Sequence, residues 1–191
     1  MPLDSKETVL DPVTFEVLKN AYVNIVDQMA EQILRTCYSF VIYSRDFSSA
    51  LCDPTGDTVM QGSGDIAAHV GTLHYTAKAV ISKFTDDIHP GDVFVVNDVY
   101  QGGTHFNDTR IFAPMFYEGE LLGFAQANGH WADVGGAVPG SFNVSALDHA
   151  QPRRADAFVH APHAAFRRDA PCNVQHAALA AHLQLHTNDV K

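Results

Sequence analysis

Cysteine, tryptophan and positive charge are all scarce in this chain. Its 191 residues include three cysteines, one tryptophan and 12 Lys or Arg against 22 Asp or Glu, so the formal net charge is −10. Three cysteines without a C-x-x-C spacing argue against a disulfide framework and against a cysteine zinc site. The lack of basic clusters argues against nucleic acid as a partner, because nothing would neutralise its phosphates.

Long apolar runs and phosphate-binding motifs are also missing. No stretch of 18 apolar residues occurs, and the first twelve residues contain no apolar signal region. We therefore expect a soluble, cytoplasmic protein with no membrane partner. The sequence has neither a GxxxxGK[ST] loop nor a Gly-x-Ser-x-Gly nucleophile elbow, so the chain is not expected to bind ATP itself.

The apolar residues that are present predict a long N-terminal helix and a packed core. Hydrophobic residues make up 46% of the chain, which is ample for a folded domain. Asp11-Pro12 is a typical helix start, since Asp can cap and Pro suits the first turn. A helix of about 25 residues then follows from the 3.6-residue spacing of its apolar positions, which are Leu18, Tyr22, Ile25, Met29 and Ile33.

Short runs of strand-forming residues predict a sheet after this helix. They cover residues 38–43, 47–52, 58–60, 93–96, 109–117 and 120–127, with a helix at 72–84. Glu118-Gly119 is a short polar turn that makes the last two strands a hairpin. The predicted fold is α+β: a long N-terminal helix packed on a mixed or antiparallel sheet, with Gly-rich site loops at strand ends.

Two H-x-x-D pairs flank the predicted hairpin. His105 and Asp108 enter it in one Gly-rich turn, and His130 and Asp133 leave it in another. Because a hairpin brings its outer ends together, these imidazoles and carboxylates are expected to meet, and such ligands suit a divalent metal. The alternative is a pair of polar turns without a metal, since no closed ligand motif is present.

The same stretch resembles the hydantoinase B family, which includes the B half of 5-oxoprolinases and is related to the large subunits of acetone-type carboxylases. The resemblance rests on blocks that agree in order and spacing. They are Gly91-Asp92-Val93-Phe94, Asn97-Asp98-x-Tyr100, Gly102-Gly103-Thr104-His105-x-x-Asp108, Gly129-His130-x-Ala132-Asp133-x-Gly135-Gly136 and Pro139-Gly140-Ser141. Earlier blocks agree as well, namely Asp11-Pro12-Val13-Thr14, Arg35-Thr36-x-Tyr38-Ser39 and Arg45-Asp46-Phe47-Ser48.

The resemblance implies a metal site and a two-subunit enzyme. The implied ligands of a divalent metal (Zn, Mn or Fe) are His105, Asp108 and His130. Trp131 stands where many members have a second His, so that position cannot be an essential ligand here. A hydantoinase A-type partner subunit would use ATP to activate a small cyclic amide or a ketone, and the metal-bearing subunit would act on the product. The implied reaction is hydrolysis of a cyclic C–N bond; the alternative is carboxylation of the activated ketone.

The resemblance also suggests roles for residues around the metal. Asp133 would orient a ligand or act as the catalytic base, and Asp98 is a second catalytic candidate. His69 is expected to contact the substrate or a metal ligand, although a structural histidine is the alternative. Arg45 and Asp46 are expected at the substrate-binding rim, where a plain surface ion pair is the alternative.

The composition changes near residue 148. Residues 149–191 contain no glycine but six of the eleven histidines. We therefore divide the chain into residues 1–148, the N-terminal portion of a hydantoinase B-type domain, and a divergent tail, 149–191, which is expected to be frameshifted or disordered. Because the resemblance covers about a third of a family subunit, the chain alone is expected to be inactive, and a non-catalytic metal- or partner-binding fragment is a further alternative.

Overall fold

The computed structural model describes residues 10–105 and 107–132, together with the backbone of residues 158–161. The helices are α1 (Pro12–Thr36), α2 (Phe40–Tyr43), α3 (Ala67–Val70) and α4 (Leu73–Phe84), with a 3-10 turn at Val99–Gln101. The strands are β1 (Phe47–Cys52), β2 (Thr58–Gln61), β3 (Val93–Val96), β4 (Asp108–Tyr117), β5 (Glu120–His130) and β6 (Phe158–Ala161).

One antiparallel sheet organises the described residues. Its strand order is β2-β1-β5-β4-β3-β6, and every neighbouring pair runs antiparallel. The predicted α+β class is confirmed, and of the two sheet types expected from the sequence the structure has the antiparallel one.

Each face of the sheet is covered by a different helix. On one face, Val26, Met29 and Ile33 of α1 pack against side chains of β1 and β5. On the other face, Ala77 and Val80 of α4 pack against a group of buried sheet residues, Cys52, Phe94, Val96, Phe112 and Phe124. The core is therefore split into two apolar layers with the sheet between them.

Helix α1 matches the predicted start and length but is buried only in part. The side chain of Asp11 accepts the backbone N–H groups of Val13 and Thr14, both at 3.0 Å, and thereby caps the helix. Met29 and Ile33 are buried, whereas Leu18 and Tyr22 on the same apolar stripe each remain 40% exposed. Within the described ranges, neither α1 nor any other helix combines the length and apolarity needed to cross a membrane.

The predicted hairpin is confirmed as β4 and β5. Its turn residues Glu118 and Gly119 both have positive φ, at 51° and 86°, which matches the twist that a tight hairpin needs. The register pairs Asp108 with His130 at the far end. Both strands thus run right up to the residues predicted to form the site.

The strand predicted at residues 38–43 was wrong, because this segment forms the short helix α2. Ser39 begins it, with its carbonyl accepting the N–H of Tyr43 at 3.0 Å and its hydroxyl oxygen accepting that of Ile42 at 3.4 Å. The β-branched and aromatic composition had favoured a strand. Tertiary packing decides otherwise, since Ile42 packs against Ile33 and Phe47 between α1 and β1.

Four residues of the segment 149–191 join the sheet. The backbone of β6 pairs with β3, for example Phe94 with His160 and Val96 with Phe158. No strand had been predicted there. The remainder of the segment lies outside the described residues, so its expected disorder stays a prediction.

Candidate metal centre

The site lies where three adjacent strands end together. The N–H of His130, at the end of β5, donates to the carbonyl of Asp46 at 3.0 Å, just before β1 begins. On its other side His130 is paired with Asp108, the first residue of β4. Because residues opposite each other in an antiparallel pair project to one face, these three side chains gather at one corner of the α4 face.

Three ligand atoms converge on one point at this corner. His105 Nε2 lies 2.7 Å from His130 Nδ1, and His130 Nδ1 lies 3.3 Å from Asp46 Oδ2. Each of the three residues places one ligand atom within 4.8 Å of those of the other two. Ligand bonds to Zn²⁺ of about 2.0–2.2 Å place neighbouring ligand atoms roughly 3.0–3.5 Å apart, so the cluster has the size and chemistry for a divalent cation.

Asp108 stands directly behind His105. Its Oδ2 accepts the backbone N–H of Thr104 at 2.7 Å and the Thr104 hydroxyl. Its Oδ1 lies 3.1 Å from His105 Nδ1, yet this buried oxygen has no well-aligned hydrogen bond among the described residues. Burial opposes ionisation, but the contacts with His105 and Thr104 outweigh it and hold the pKa of Asp108 well below its ordinary value. The carboxylate is therefore an anion with one oxygen available to a cation.

The pKa values of the two imidazoles in the cluster are shifted in opposite directions. The Asp108 carboxylate raises the pKa of His105, although burial works against it. Burial lowers the pKa of His130, and the neighbouring His105 lowers it further. With Nδ1 of His105 facing Asp108, its Nε2 faces His130 Nδ1 at 2.7 Å. A neutral His130 therefore accepts the His105 N–H in the metal-free protein, and a metal bound here would replace that proton.

The cluster is open to solvent on one side. The side chains of Asp108 and His130 are 0% and 5% exposed, whereas those of Asp46 and His105 are 28% and 42% exposed. Arg45, which precedes Asp46, is exposed and has an unusual positive φ of 65°. Among the described residues of the cluster, Asp46 and His105 therefore form the solvent-exposed side, and the expected rim role of Arg45 and Asp46 stays a prediction.

His69 is placed beneath the cluster rather than at its mouth. It is 1% exposed, and its Nε2 lies 3.7 Å from Asp108 Oδ1. Its Nδ1 lies 2.8 Å from Ser48 Oγ and 3.1 Å from Asn128 Nδ2. Of the two contacts expected for His69, this position favours the one to a metal ligand.

Arg110 and Asn128 were missed by the sequence reasoning. Both are 1% exposed and paired across β4 and β5, and burial lowers the pKa of Arg110 to about 10. A signal was present, because Arg110 lies two positions after Asp108 and Asn128 two positions before His130. With the two-residue period of a strand, both must share the site's face.

The two predicted catalytic carboxylates are differently placed. Asp98 begins the 3-10 turn, and its Oδ1 accepts the N–H of Tyr100 at 2.9 Å. Asp133 lies outside the described residues. The chain just before it is fixed, since Trp131 exchanges hydrogen bonds with Asn107 through its N–H and its carbonyl, at 3.0 and 2.8 Å.

Comparison with known proteins identifies the family. The family model described as hydantoinase B/oxoprolinase matches residues 11–152. The chain belongs to this family. The beta subunit of the caprolactamase of Pseudomonas jessenii is 36% identical over 140 residues, covering 73% of this chain and 24% of that protein. The 5-oxoprolinase of Dictyostelium discoideum is 35% identical over 135 residues, covering 70% of this chain and 11% of that protein.

Two solved structures of family-related enzymes share the fold. The ATP-dependent caprolactamase from Pseudomonas jessenii superposes with a TM-score of 0.80 at 28% identity, covering 95% of this chain and 33% of that one. A nucleotide-free acetone carboxylase gives a TM-score of 0.63 at 27% identity, covering 69% of this chain and 18% of that one. The chain thus spans only a quarter or less of the caprolactamase and oxoprolinase sequences it matches.

Proposed function

We propose that this chain provides the metal-holding part of a B-type subunit in an ATP-dependent amidohydrolase that opens cyclic amides. The observation that carries the proposal is the convergence of Asp46, His105 and His130, each of which places one ligand atom within 4.8 Å of those of the other two. Membership of a family that includes 5-oxoprolinase and caprolactamase supports the reaction class.

The proposed ligands are Asp46, His105 and His130. Asp108 contacts His105. In the observed geometry Asp108 Oδ1 faces His105 Nδ1 at 3.1 Å, so it orients this imidazole, and a small shift would let it add an oxygen to the set. A divalent ion held here would polarise an amide carbonyl or lower the pKa of a bound water. Zinc, manganese and iron are all compatible with these nitrogen and carboxylate ligands.

The remaining roles are proposed from exposure for Arg45 and His69, and from the sequence for Asp133 and Asp98. Arg45, an exposed residue, would contact substrate at the rim. For the proton transfer that must accompany attack on the C–N bond we propose Asp133 as the base, with Asp98 as the second candidate. His69 is too deeply buried to be the first contact of an incoming substrate. We therefore propose that it positions Asp108.

A second protein chain is part of the proposal. One relative is named as the beta subunit of a caprolactamase and another as the B subunit of a putative D-/L-hydantoinase, and both names imply a further subunit in those proteins. Here an A-type partner would use ATP to phosphorylate the amide oxygen, because this sequence has no phosphate-binding loop. The activated ring would then reach the metal cluster.

Two alternatives have specific support. The likeness to acetone carboxylase favours a ketone-carboxylating enzyme built on the same site. The small share of each relative that the chain spans favours a non-catalytic fragment that binds metal or a partner. Turnover separates these candidates, whereas metal content does not.

The metal is tested directly by elemental analysis of the purified chain. We expect a bound divalent metal, and we expect His105→Ala, His130→Ala and Asp46→Ala each to lower its content several-fold, because each removes one of the three converging ligand atoms. His89→Ala is the matched control, since His89 is a half-exposed imidazole in a turn with Asp87 and Asp92. Full occupancy in all three site variants would remove the assignment.

The reaction is tested by adding ATP together with an A-type subunit. We expect ring opening of 5-oxoproline or hydantoin only when both proteins are present, and none by this chain alone. Fixation of bicarbonate onto acetone in place of ring opening would support the carboxylase alternative. No reaction with any of these substrates, from a chain that binds metal, would support the fragment alternative.

A further inference from the structure

A buried cation lies beneath the candidate metal centre. Arg110 is 1% exposed, and its guanidinium donates to the carbonyl of Thr72 at 2.9 Å and the Thr72 hydroxyl at 2.6 Å. It also donates to the Thr76 hydroxyl and to Asn128 Oδ1, the latter at 3.3 Å. No carboxylate of the described residues lies within ion-pair distance of it. Since burying a cation among neutral groups is costly, a role beyond packing is indicated.

Arg110 determines which way the amide of Asn128 points. A guanidinium has only N–H donors, so the atom of Asn128 that faces Arg110 must be the carbonyl oxygen. The amide nitrogen then faces the other way, where it lies 3.1 Å from His69 Nδ1. The orientation of this amide is thereby fixed by the chemistry of its neighbour.

Asn128 in turn determines where His69 carries its proton. An amide NH₂ can only donate, so its contact with Nδ1 of His69 is a hydrogen bond only if Nδ1 accepts. The hydroxyl of Ser48 lies 2.8 Å from the same nitrogen and can donate to it as well, whereas it would accept from Nδ1 only in the other tautomer. In a neutral imidazole the proton is then on Nε2. That N–H lies 3.7 Å from Asp108 Oδ1, the oxygen for which the described part of the chain offers no well-aligned hydrogen bond.

We propose that Arg110, acting through Asn128, fixes His69 as the Nε2–H tautomer, and that this N–H, 3.7 Å from Asp108 Oδ1, stabilises the charge and position of the Asp108 carboxylate beside His105. Arg110, Asn128 and His69 are positioning residues in this proposal. Because Nε2 carries the proton, His69 offers no lone pair to the metal cluster. The tautomer is a property of the chain itself, whereas its effect on metal binding rests on the proposed function.

The tautomer is measured by long-range ¹H–¹⁵N correlation of the imidazole rings in ¹⁵N-histidine-labelled full-length protein at pH 8. His69, assigned by loss of its signals in His69→Gln, is expected to have a protonated Nε2 and an unprotonated Nδ1. In Asn128→Asp a carboxylate oxygen faces Nδ1, so protonation of Nδ1 is expected. Gln126→Glu is the matched control. Gln126 is equally buried on the same face of β5, but its amide donates a hydrogen bond to Cys52 Sγ and not to His69.

Metal affinity gives a second readout, with Mn²⁺ alone as the probe. His69→Gln keeps an N–H donor at the position of Nε2, whereas His69→Asn is too short to reach Asp108. Loss of a group that orients a metal ligand typically weakens binding about 10–100-fold, so we expect this loss for His69→Asn and a much smaller one for His69→Gln. A merely structural histidine would lower the melting temperature of both variants and leave Mn²⁺ affinity unchanged.

The outcomes separate this proposal from the proposed function. A protonated Nδ1 in the native protein, or equal Mn²⁺ affinity in the two His69 variants and the native chain, overturns the positioning role. Failure of the native chain to bind any metal overturns the proposed function. The NMR measurement of the His69 tautomer would still test whether Arg110 and Asn128 position His69. Should Asn128→Asp not fold, Asn128→Ser removes the amide donor and is expected to give a mixture of tautomers.

Discussion

At the scale of single residues, the charge on each site group depends on the group beside it. Asp108 is buried, and yet its contacts with His105 and Thr104 keep its pKa low; the same carboxylate is what raises the pKa of His105. Removing one member should therefore change the titration of the other in a direction that the structure specifies.

Asp108→Asn is expected to lower the pKa of His105 in the metal-free protein. The carboxylate is the largest contribution to the raised pKa, and the amide that replaces it has no charge. A raised folded-state pKa stabilises the protein below about pH 6.5, the unfolded value, and this contribution is lost as pH rises through the folded pKa. The variant should lose that pH dependence, which thermal unfolding between pH 5 and 8 and an NMR titration of the His105 ring would measure.

His74→Ala is the control for this titration, since it removes an imidazole of the described region that is not in the cluster. An unchanged His105 pKa in Asp108→Asn would mean that the 3.1 Å contact between Asp108 Oδ1 and His105 Nδ1 does not stabilise the protonated imidazole. The metal content of Asp108→Asn is a separate readout. A loss as large as that of His105→Ala would make Asp108 a ligand in its own right.

Some of these residues were predictable from the sequence and some were not. His105, Asp108 and His130 were predicted because the hairpin between them has a strong local signal. Asp46 was predicted at the site but as a rim residue, because its place beside His130 depends on the register between β1 and β5, which are distant in sequence. The two-residue period of a strand puts Arg110 and Asn128 on the site's face, but only the register shows that they lie opposite each other.

At the scale of elements, the Gly-rich turn before β4 supports the buried network. Gly102 has φ +95°, and a Cβ added there would lie 2.5 Å from Thr76 Oγ1 and 2.8 Å from the carbonyl of Thr72. These are the groups that receive the hydrogen bonds of Arg110. The turn therefore has both a conformational and a steric need for glycine.

Gly102→Ala is expected to destabilise the protein by about 2–4 kcal/mol, from the left-handed conformation and the forced shift of α4. Gly119→Ala is the matched control, because Gly119 has φ +86° and nothing within 4 Å of the added carbon. It should cost only about 1 kcal/mol. Equal losses of unfolding free energy in denaturant titrations would contradict the predicted contact with α4.

The elements differ in how well their sequences predicted them. Helix α1, the β4–β5 hairpin and β3 were predicted because each has a sustained period or a turn signal. Helix α2 was not, since four residues, Phe40–Tyr43, are too few to display a period and their composition favours a strand. β6 was not predicted either, because its pairing with β3 is set by tertiary contact and no local signal precedes it.

At the scale of the whole molecule, only part of α1 is covered. Of its 25 residues, the buried ones, Val26, Met29 and Ile33, all lie in the second half of the helix. The first half of the helix therefore carries its apolar stripe into solvent, with Phe15 53% and Leu18 and Tyr22 each 40% exposed. Surface of this kind promotes association.

We expect the purified chain to self-associate through this half of α1, and Leu18→Glu combined with Tyr22→Lys to reduce the association. The pair is spaced i,i+4 with Glu first, so the helix itself should not be weakened. Val13→Glu with Val17→Lys is the matched control, since these exposed valines lie on the opposite side of the helix. Sedimentation velocity over a range of concentrations is the measurement, and an equal effect of both pairs would contradict the predicted surface.

The end-to-end alignment of β1, β5 and β4 has a consequence for how this protein reaches its native state. The hydrogen bond from His130 to Asp46 and the pairing of His130 with Asp108 hold only in one register. A slip of one residue would turn the His130 side chain to the α1 face and bring Gly129 or Trp131 to the corner. If the proposed metal binds at this corner, it binds only the native register, so it would stabilise the correctly paired hairpin relative to a shifted one.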